Sequence, residues 1–171
     1  MAQPRHSADE IEQRARSILE TVPDEIKANR IWRDADWTRL IKCRFDKVGT
    51  EWKYKVCATG FGPWQREWIR YDMMWVEMTN EDRDLARVAL VLESEWLKKS
   101  EEDIEPDFQK LIVARADLRV MIFQQRTLEQ VRTAMGTLER QAKAFEQKQK
   151  GDRYLLAGLS KGNFDFHSFT I

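Results

Sequence analysis

At 171 residues, with 42% hydrophobic and 34% charged side chains, the chain has the composition of a globular protein with one sizeable core, which sets aside a disordered segment. Lys+Arg and Asp+Glu both number 29, so the formal net charge is zero and any basic surface for nucleic acid has to be local. Two cysteines, Cys43 and Cys57, make neither a disulfide framework nor a close-spaced metal motif; with no signal-peptide pattern and no membrane-length apolar run, a reduced, cytoplasmic setting is expected.

Ser7 to Val22 reads as a first helix. Ser7 and Glu10 have capping-box spacing, Ile11, Ala15, Ile18, Leu19 and Val22 form an apolar stripe, and Pro23 is expected to end it. A second helix starts near Asp34 or Asp36, carries Trp37, Leu40, Ile41, Phe45 and Val48 on one face, and has Gly49 as its stop. Glu51 to Phe61 then turns aromatic and β-branched, as in a strand, and Gly60-Phe61-Gly62-Pro63 reads as a turn. Arg66 to Met78 is a second strand, Thr79 to Asp84 a polar break, and Arg87 to Trp96 a third strand.

Lys98 to Glu105 reads as a charged loop, and Pro106 suits the first turn of a helix running to about Ala116. Leu118 to Phe123 is a fourth strand. Thr127 and Gln130 cap a long helix with the stripe Leu128, Val131, Met135, Leu138, Ala142 and Phe145, closed by Gly151. Two short strands, Arg153 to Leu159 and Phe164 to Ile171, finish the chain. Three successive strands favour hairpin pairing, and the strand–helix–strand run from Val88 to Phe123 favours a parallel crossover. The expected architecture is therefore α/β, a mixed central sheet flanked by helices in one domain spanning residues 1–171.

Chemistry concentrates at one place. Val88-Ala89-Leu90-Val91-Leu92 is an apolar run that leads into Glu93-Ser94-Glu95. Period-two alternation points Glu93 and Glu95 to the same side, at the end of a strand dense enough to be covered on both faces. The preceding strand carries Asp72 amid apolar residues, and antiparallel pairing would bring it near Glu93. Three carboxylates make an oxygen-rich pocket of the kind Mg²⁺ or Mn²⁺ prefers, and such a metal activates water and offsets charge on a phosphodiester. Lys110 lies one turn into the following helix, within reach of the acids, where it would orient water or stabilise negative charge. The simpler alternative is acids solvated or paired at a strand end, with Lys110 bridged to Asp107.

This order of elements, with Asp72 on one strand and Glu93-Ser94-Glu95 on the next, resembles the PD-(D/E)XK nuclease superfamily, the restriction-endonuclease-like fold. The resemblance covers an αβββαβ core over residues 34–123, about half the chain, and leaves 127–171 as a C-terminal extension. It implies a metal-dependent nuclease hydrolysing DNA, with Asp72, Glu93 and Glu95 as Mg²⁺ (or Mn²⁺) ligands and Lys110 as the catalytic lysine. Tyr71 stands where the signature has proline, and Glu95 where it has lysine; active members with Glu at that position exist, and others carry the lysine on the following helix. The alternative reading is a catalytically inactive nuclease-fold protein that works through binding or oligomerisation.

Other residues weigh less. Glu67 has the opposite parity to Asp72 and is a minor supporting candidate, and Asp36, Asp46 and Glu20 are helix acids among which the sequence does not choose. Gln124 and Gln125 follow the fourth strand and contact a substrate or cap the next helix. His167 reads as structural and His6 as part of a frayed terminus. The Lys and Arg of the last long helix alternate with Glu and Gln as on a solvated face, and the seven Trp residues divide between core and interface. The C-terminal strand is a candidate edge for pairing with a second copy, as in a homodimer.

Overall fold

The computed structural model describes residues 5–30, 33–60, 71–79, 81–96 and 104–171. Its first helix, α1 (Ala8–Asn29), begins at a complete capping box: the Ser7 hydroxyl accepts from the Glu10 N–H and the Glu10 carboxylate accepts from Ser7 N–H at 2.7 Å. Pro23 does not end it. The proline sits inside the helix with Val22 and Ile26 buried around it, so burial of the apolar stripe outweighs the missing N–H. The stop comes at Arg30, in the left-handed region at φ 54°, whose N–H reaches the carbonyls of Ile26 and Lys27.

The second helix, α2 (Asp34–Glu51), runs through Gly49. That glycine is there for close approach: a Cβ would lie 2.6 Å from Val56 Cγ2 and 2.7 Å from Trp75 Nε1. The strands are β1 (Lys55–Ala58), β2 (Met73–Thr79), β3 (Asp84–Glu95), β4 (Leu118–Gln124), β5 (Arg153–Ser160) and β6 (Asn163–Thr170), with α3 (Ile104–Val113) between β3 and β4 and α4 (Leu128–Ala144) between β4 and β5. Gly60 is in the left-handed region, as a turn requires, whereas Phe61, Gly62, Pro63 and residues 66–70 lie outside the described residues. The charged loop expected from Lys98 falls partly outside them too, and α3 begins two residues before Pro106.

The six strands form one mixed sheet in the order β1-β2-β3-β4-β5-β6. The first three pair antiparallel as a meander, β3–β4 and β4–β5 are parallel, and β6 returns antiparallel on β5. Two consecutive crossovers progressing in one direction with one hand must place their helices on one face. Accordingly α3 and α4 share a face, where Phe108, Leu111, Val131, Met135 and Leu138 pack on Val91, Met121, Phe123 and Leu156. α1 and α2 cover the other face, with Leu19, Ile41 and Phe45 against Trp75, Leu90, Leu92, Val120 and Leu155. A bulge opposite Trp75 and Val76 absorbs Ala89, and beyond it β3 alternates cleanly: Leu90, Leu92 and Ser94 face α1 and α2, while Val91, Glu93 and Glu95 face α3 and α4.

The long helix α4 also starts at a complete capping box, Thr127 with Gln130. Leu128 departs from its expected stripe and is 42% exposed, because it precedes the first full turn against the sheet. Gly151 does not close this helix; at φ 96° it shapes the turn into β5. His6 is not frayed: its ring stacks on Trp52 at 3.8 Å and its backbone carbonyl accepts from Arg87. Among the described residues no helix is long and apolar enough to cross a membrane.

Candidate functional site

The β2–β3 register runs Met74↔Val91 and Met73↔Leu92, so one further step sets Asp72 against Glu93 at the carboxyl end of β3. Asp72 lies just before β2 begins. Its Oδ2 accepts from both the Ser94 N–H (2.9 Å) and the Ser94 hydroxyl (2.8 Å), taking the place of a ladder partner for β3. Its Oδ1 accepts from Lys42 Nζ at 3.0 Å, and the same ammonium donates to the Thr59 carbonyl at 3.0 Å. Lys42 comes from α2 and is 7% exposed, so a nearly buried cation ties the helix to the end of the β1–β2 pair.

On the other face Glu93 is 4% exposed beneath α3. Lys110 Nζ stands 3.5 Å from its Oε1, an ion pair at the outer edge of hydrogen-bond distance, and no closer donor reaches this buried oxygen. Burial, reinforced by the nearby Asp72 charge and only partly offset by Lys110, pushes the Glu93 carboxyl up to about 8. Burial pulls the Lys110 ammonium down, but Asp107, at 2.5 Å, and Glu93 outweigh it and hold its pKa above the ordinary lysine value. Tyr71 buttresses the pair from the start of the β2 arm, its hydroxyl donating to the Lys110 carbonyl at 3.3 Å. Burial first, and then the Glu93 charge, raise the Tyr71 phenol. Glu95 is half-buried on the same face as Glu93, at the level of Phe123 in β4.

Asp72, Glu93, Glu95 and Lys110 thus gather at one end of the sheet, as their spacing implies. Glu93 and Lys110 work on the α3 side, whereas Asp72 is held at the strand end by groups from the α2 side. Among the described residues no cluster of three or more His, Cys, Asp or Glu side chains could hold a metal ion. Mg²⁺ commonly uses only one or two protein carboxylates and takes the rest of its shell from water and substrate.

Two contributors were not singled out from sequence. Lys42 sits in phase with Thr38, Phe45 and Gly49 on the buried side of α2, and a lysine at a core position is the signal that would have found it. Tyr71 looked only like a substitute for proline. The helix acids do not join the site: Asp36 is bound by Arg33 at 2.8 Å, Glu20 is exposed, and the carboxyl of Asp46, one turn beyond Lys42, is raised by burial alone. Glu67, Trp64 and Trp68 lie outside the described residues.

Trp75 is fully buried among Phe45, Trp52 and Tyr54, and the Trp96 indole N–H donates to Thr38, so both serve packing. His167 contacts Glu139 at 2.6 Å and stacks with Phe169, in keeping with a structural role. At the opposite end of the sheet, the buried Arg119 guanidinium donates to the Ala114 and Ala116 carbonyls and to Asp152, which satisfies it internally. No protein-family model, curated protein or solved structure matches the chain.

Proposed function

We propose that this chain is a metal-dependent nuclease of restriction-endonuclease-like fold that hydrolyses DNA phosphodiester bonds. The observation that carries the reading is Glu93: a nearly buried acid whose Oε1 has only a long, 3.5 Å contact with the Lys110 ammonium, lying next to Asp72 at the carboxyl end of a sheet strand. A buried acid with so little hydrogen bonding is costly to folding, and coordination of a divalent cation would offset that cost. The element order from α2 through β4, helix then three antiparallel strands, helix and parallel strand, supports the αβββαβ core.

The donor set is all oxygen and suits a hard divalent ion. Glu93 and Asp72 would hold Mg²⁺ or Mn²⁺, with Glu95 supporting it from the same strand. Bound there, the ion would supply an activated water and charge neutralisation at the phosphate. Lys110 contributes a positive charge beside Glu93 for the developing phosphate charge. Lys42 is a positioning residue that fixes Asp72. Tyr71 and Asp107 hold Lys110 in place.

The test is cleavage of plasmid and linear DNA with Mg²⁺ or Mn²⁺, together with calorimetric Mn²⁺ binding. Asp72→Ala and Glu93→Ala should each abolish cleavage and weaken Mn²⁺ binding, and Lys110→Ala should abolish cleavage while metal still binds. Cleavage that survives both acid substitutions refutes the assignment. A catalytically inactive binding module is the second reading. It is favoured by one observation, that both Asp72 oxygens already accept hydrogen bonds from Lys42 and Ser94. It predicts neither cleavage nor Mn²⁺ binding.

A further inference from the structure

The last strand, β6, is an edge of the sheet and, among the described residues, pairs only with β5. Just past it, Ile171 makes its backbone hydrogen bonds on the β5 side, donating to the Asp152 carbonyl and accepting from Gly151 N–H, both at 2.9 Å. Alternation then turns the N–H and C=O of Phe164, Phe166, Ser168 and Thr170 outward from the sheet. The strand is eight residues long, pairs with β5 without a register shift and contains no Lys, Arg or Pro, so it lacks the devices that usually guard an edge. The opposite edge, β1, has four residues. Helix α4 runs in the same direction as β6 and leans onto it, Arg132 reaching Asp165 at 3.3 Å and Glu139 reaching His167 at 2.6 Å. Gly136 stands between these two on the same flank of α4, exposed, with open space where a Cβ would be. A glycine inside a helix weakens it relative to alanine, and no contact among the described residues requires one here.

We propose that β6 pairs antiparallel with β6 of a second copy of this chain, about a two-fold axis at Phe166, so that the two sheets become one. The side chains select this register. Asp165 and His167 both face α4 and flank Phe166, so an axis at Phe166 sets Asp165 of each copy opposite His167 of the other. Both residues turn their backbone groups to β5, which makes these the non-hydrogen-bonded pairs, where side chains come closest. On the α1 face Phe166 meets its counterpart and Phe164 meets Ser168, and the outward groups of these residues form about six backbone hydrogen bonds between the copies. An axis at His167 would set imidazole against imidazole instead. The axis at Phe166 also lies level with Gly136, midway between Arg132 and Glu139. The two α4 helices therefore come alongside each other antiparallel, with the glycine leaving room for close approach and Arg132 of one copy facing Glu139 of the other. An edge paired with itself closes at two chains and leaves only the short β1 edges outside. The inference stands apart from the nuclease reading and uses none of its residues.

The experiment measures the mass of the full chain in solution by sedimentation velocity across the micromolar range. Wild type should sediment as a species of twice the 20.3 kDa chain mass. Ser168→Pro removes an outward N–H, a place where an edge strand tolerates proline, and should give a folded monomer with unchanged circular dichroism. Asp165→Lys, at the surface, should raise the dimer dissociation constant about tenfold by opposing a cation to His167. The register is read by cross-linking in a Cys43→Ser background, which removes the exposed native thiol. Phe166→Cys lies across from itself at a spacing that fits a disulfide and should cross-link on mild oxidation, whereas Phe164→Cys, opposite Ser168, should not. A wild-type monomer overturns the proposal, and so does a dimer that persists in folded Ser168→Pro or is as tight in Asp165→Lys as in wild type. Equal cross-linking at 164 and 166 overturns it as well. If Ser168→Pro fails to fold, Asp165→Lys and the cysteine pair decide the matter. No metal or DNA enters these measurements, so their outcome and that of the cleavage assay are read separately.

Discussion

Replacing Glu93 by glutamine should make the protein more stable at alkaline pH, by an amount that grows with pH. The Glu93 carboxyl is 4% exposed, faces the field of Asp72, and is pushed from 4.5 up to about 8. The folded state therefore holds a proton that the unfolded chain releases between those limits. The stability tied to that proton is fully present below about pH 4.5, falls by about 1.4 kcal/mol per pH unit, and is lost above about pH 8. The whole span corresponds to roughly 5 kcal/mol, an upper bound because water and side-chain rearrangement soften a buried charge.

Glutamine keeps the shape and cannot ionise, while Lys110 retains Asp107 as its partner. Urea unfolding, followed by tryptophan fluorescence from pH 4 to 9, confines the effect to Glu93 and the groups that feel its charge, Lys110 and Tyr71, since the remaining titrating groups cancel in the difference. Wild type and Glu93→Gln should be closest near pH 4, and the variant should gain steadily up to pH 8. A difference that stays flat with pH, or that grows in favour of the wild type, would falsify the account of Glu93 as a buried, proton-bearing acid.

Millimolar Mg²⁺ should move the midpoint of that difference curve to lower pH, because a metal binds only the ionised carboxylate; an unmoved midpoint speaks against metal at Glu93. Lys42→Met should cost about 2–4 kcal/mol by stranding Asp72 and the Thr59 carbonyl, and Asp72→Asn in the same background should recover part of it in a double-mutant cycle. Gly49→Ala should destabilise by about 1–3 kcal/mol through its clash with Val56 and Trp75, although alanine is the better helix former; a stabilised variant would show that α2 can retreat from the sheet. Gly158→Ala should behave alike, since its methyl would meet Val131 on α4. Thr127→Ala should cost about 1 kcal/mol by unpairing the capping box, measured by thermal unfolding.

Elements whose evidence is local were the most legible. Both capping boxes rest on residues three apart, and the strand–helix–strand unit from β3 to β4 rests on a change of period from two to 3.6. Signals that depend on what lies across a gap misled. Pro23 and Gly49 are local helix breakers, yet burial of Val22 and Ile26 carries α1 onward, and contact with Trp75 keeps Gly49 within α2. His6 looked frayed because nothing in its polar neighbourhood reveals Trp52, 46 residues later, as its stacking partner.

The sequence alone determined the α/β class, the approximate place of each element, and a concentration of acids on two adjacent strands followed by a lysine, because period and spacing are properties of neighbouring residues. The tertiary structure decided what those acids are. The sheet register set Asp72 against Glu93, packing of α3 cut Glu93 off from water, and docking of α2 delivered Lys42 to Asp72. Ionisation depends on solvent and on charges distant in sequence, so a carboxylate's chemistry is settled only when the chain has closed around it.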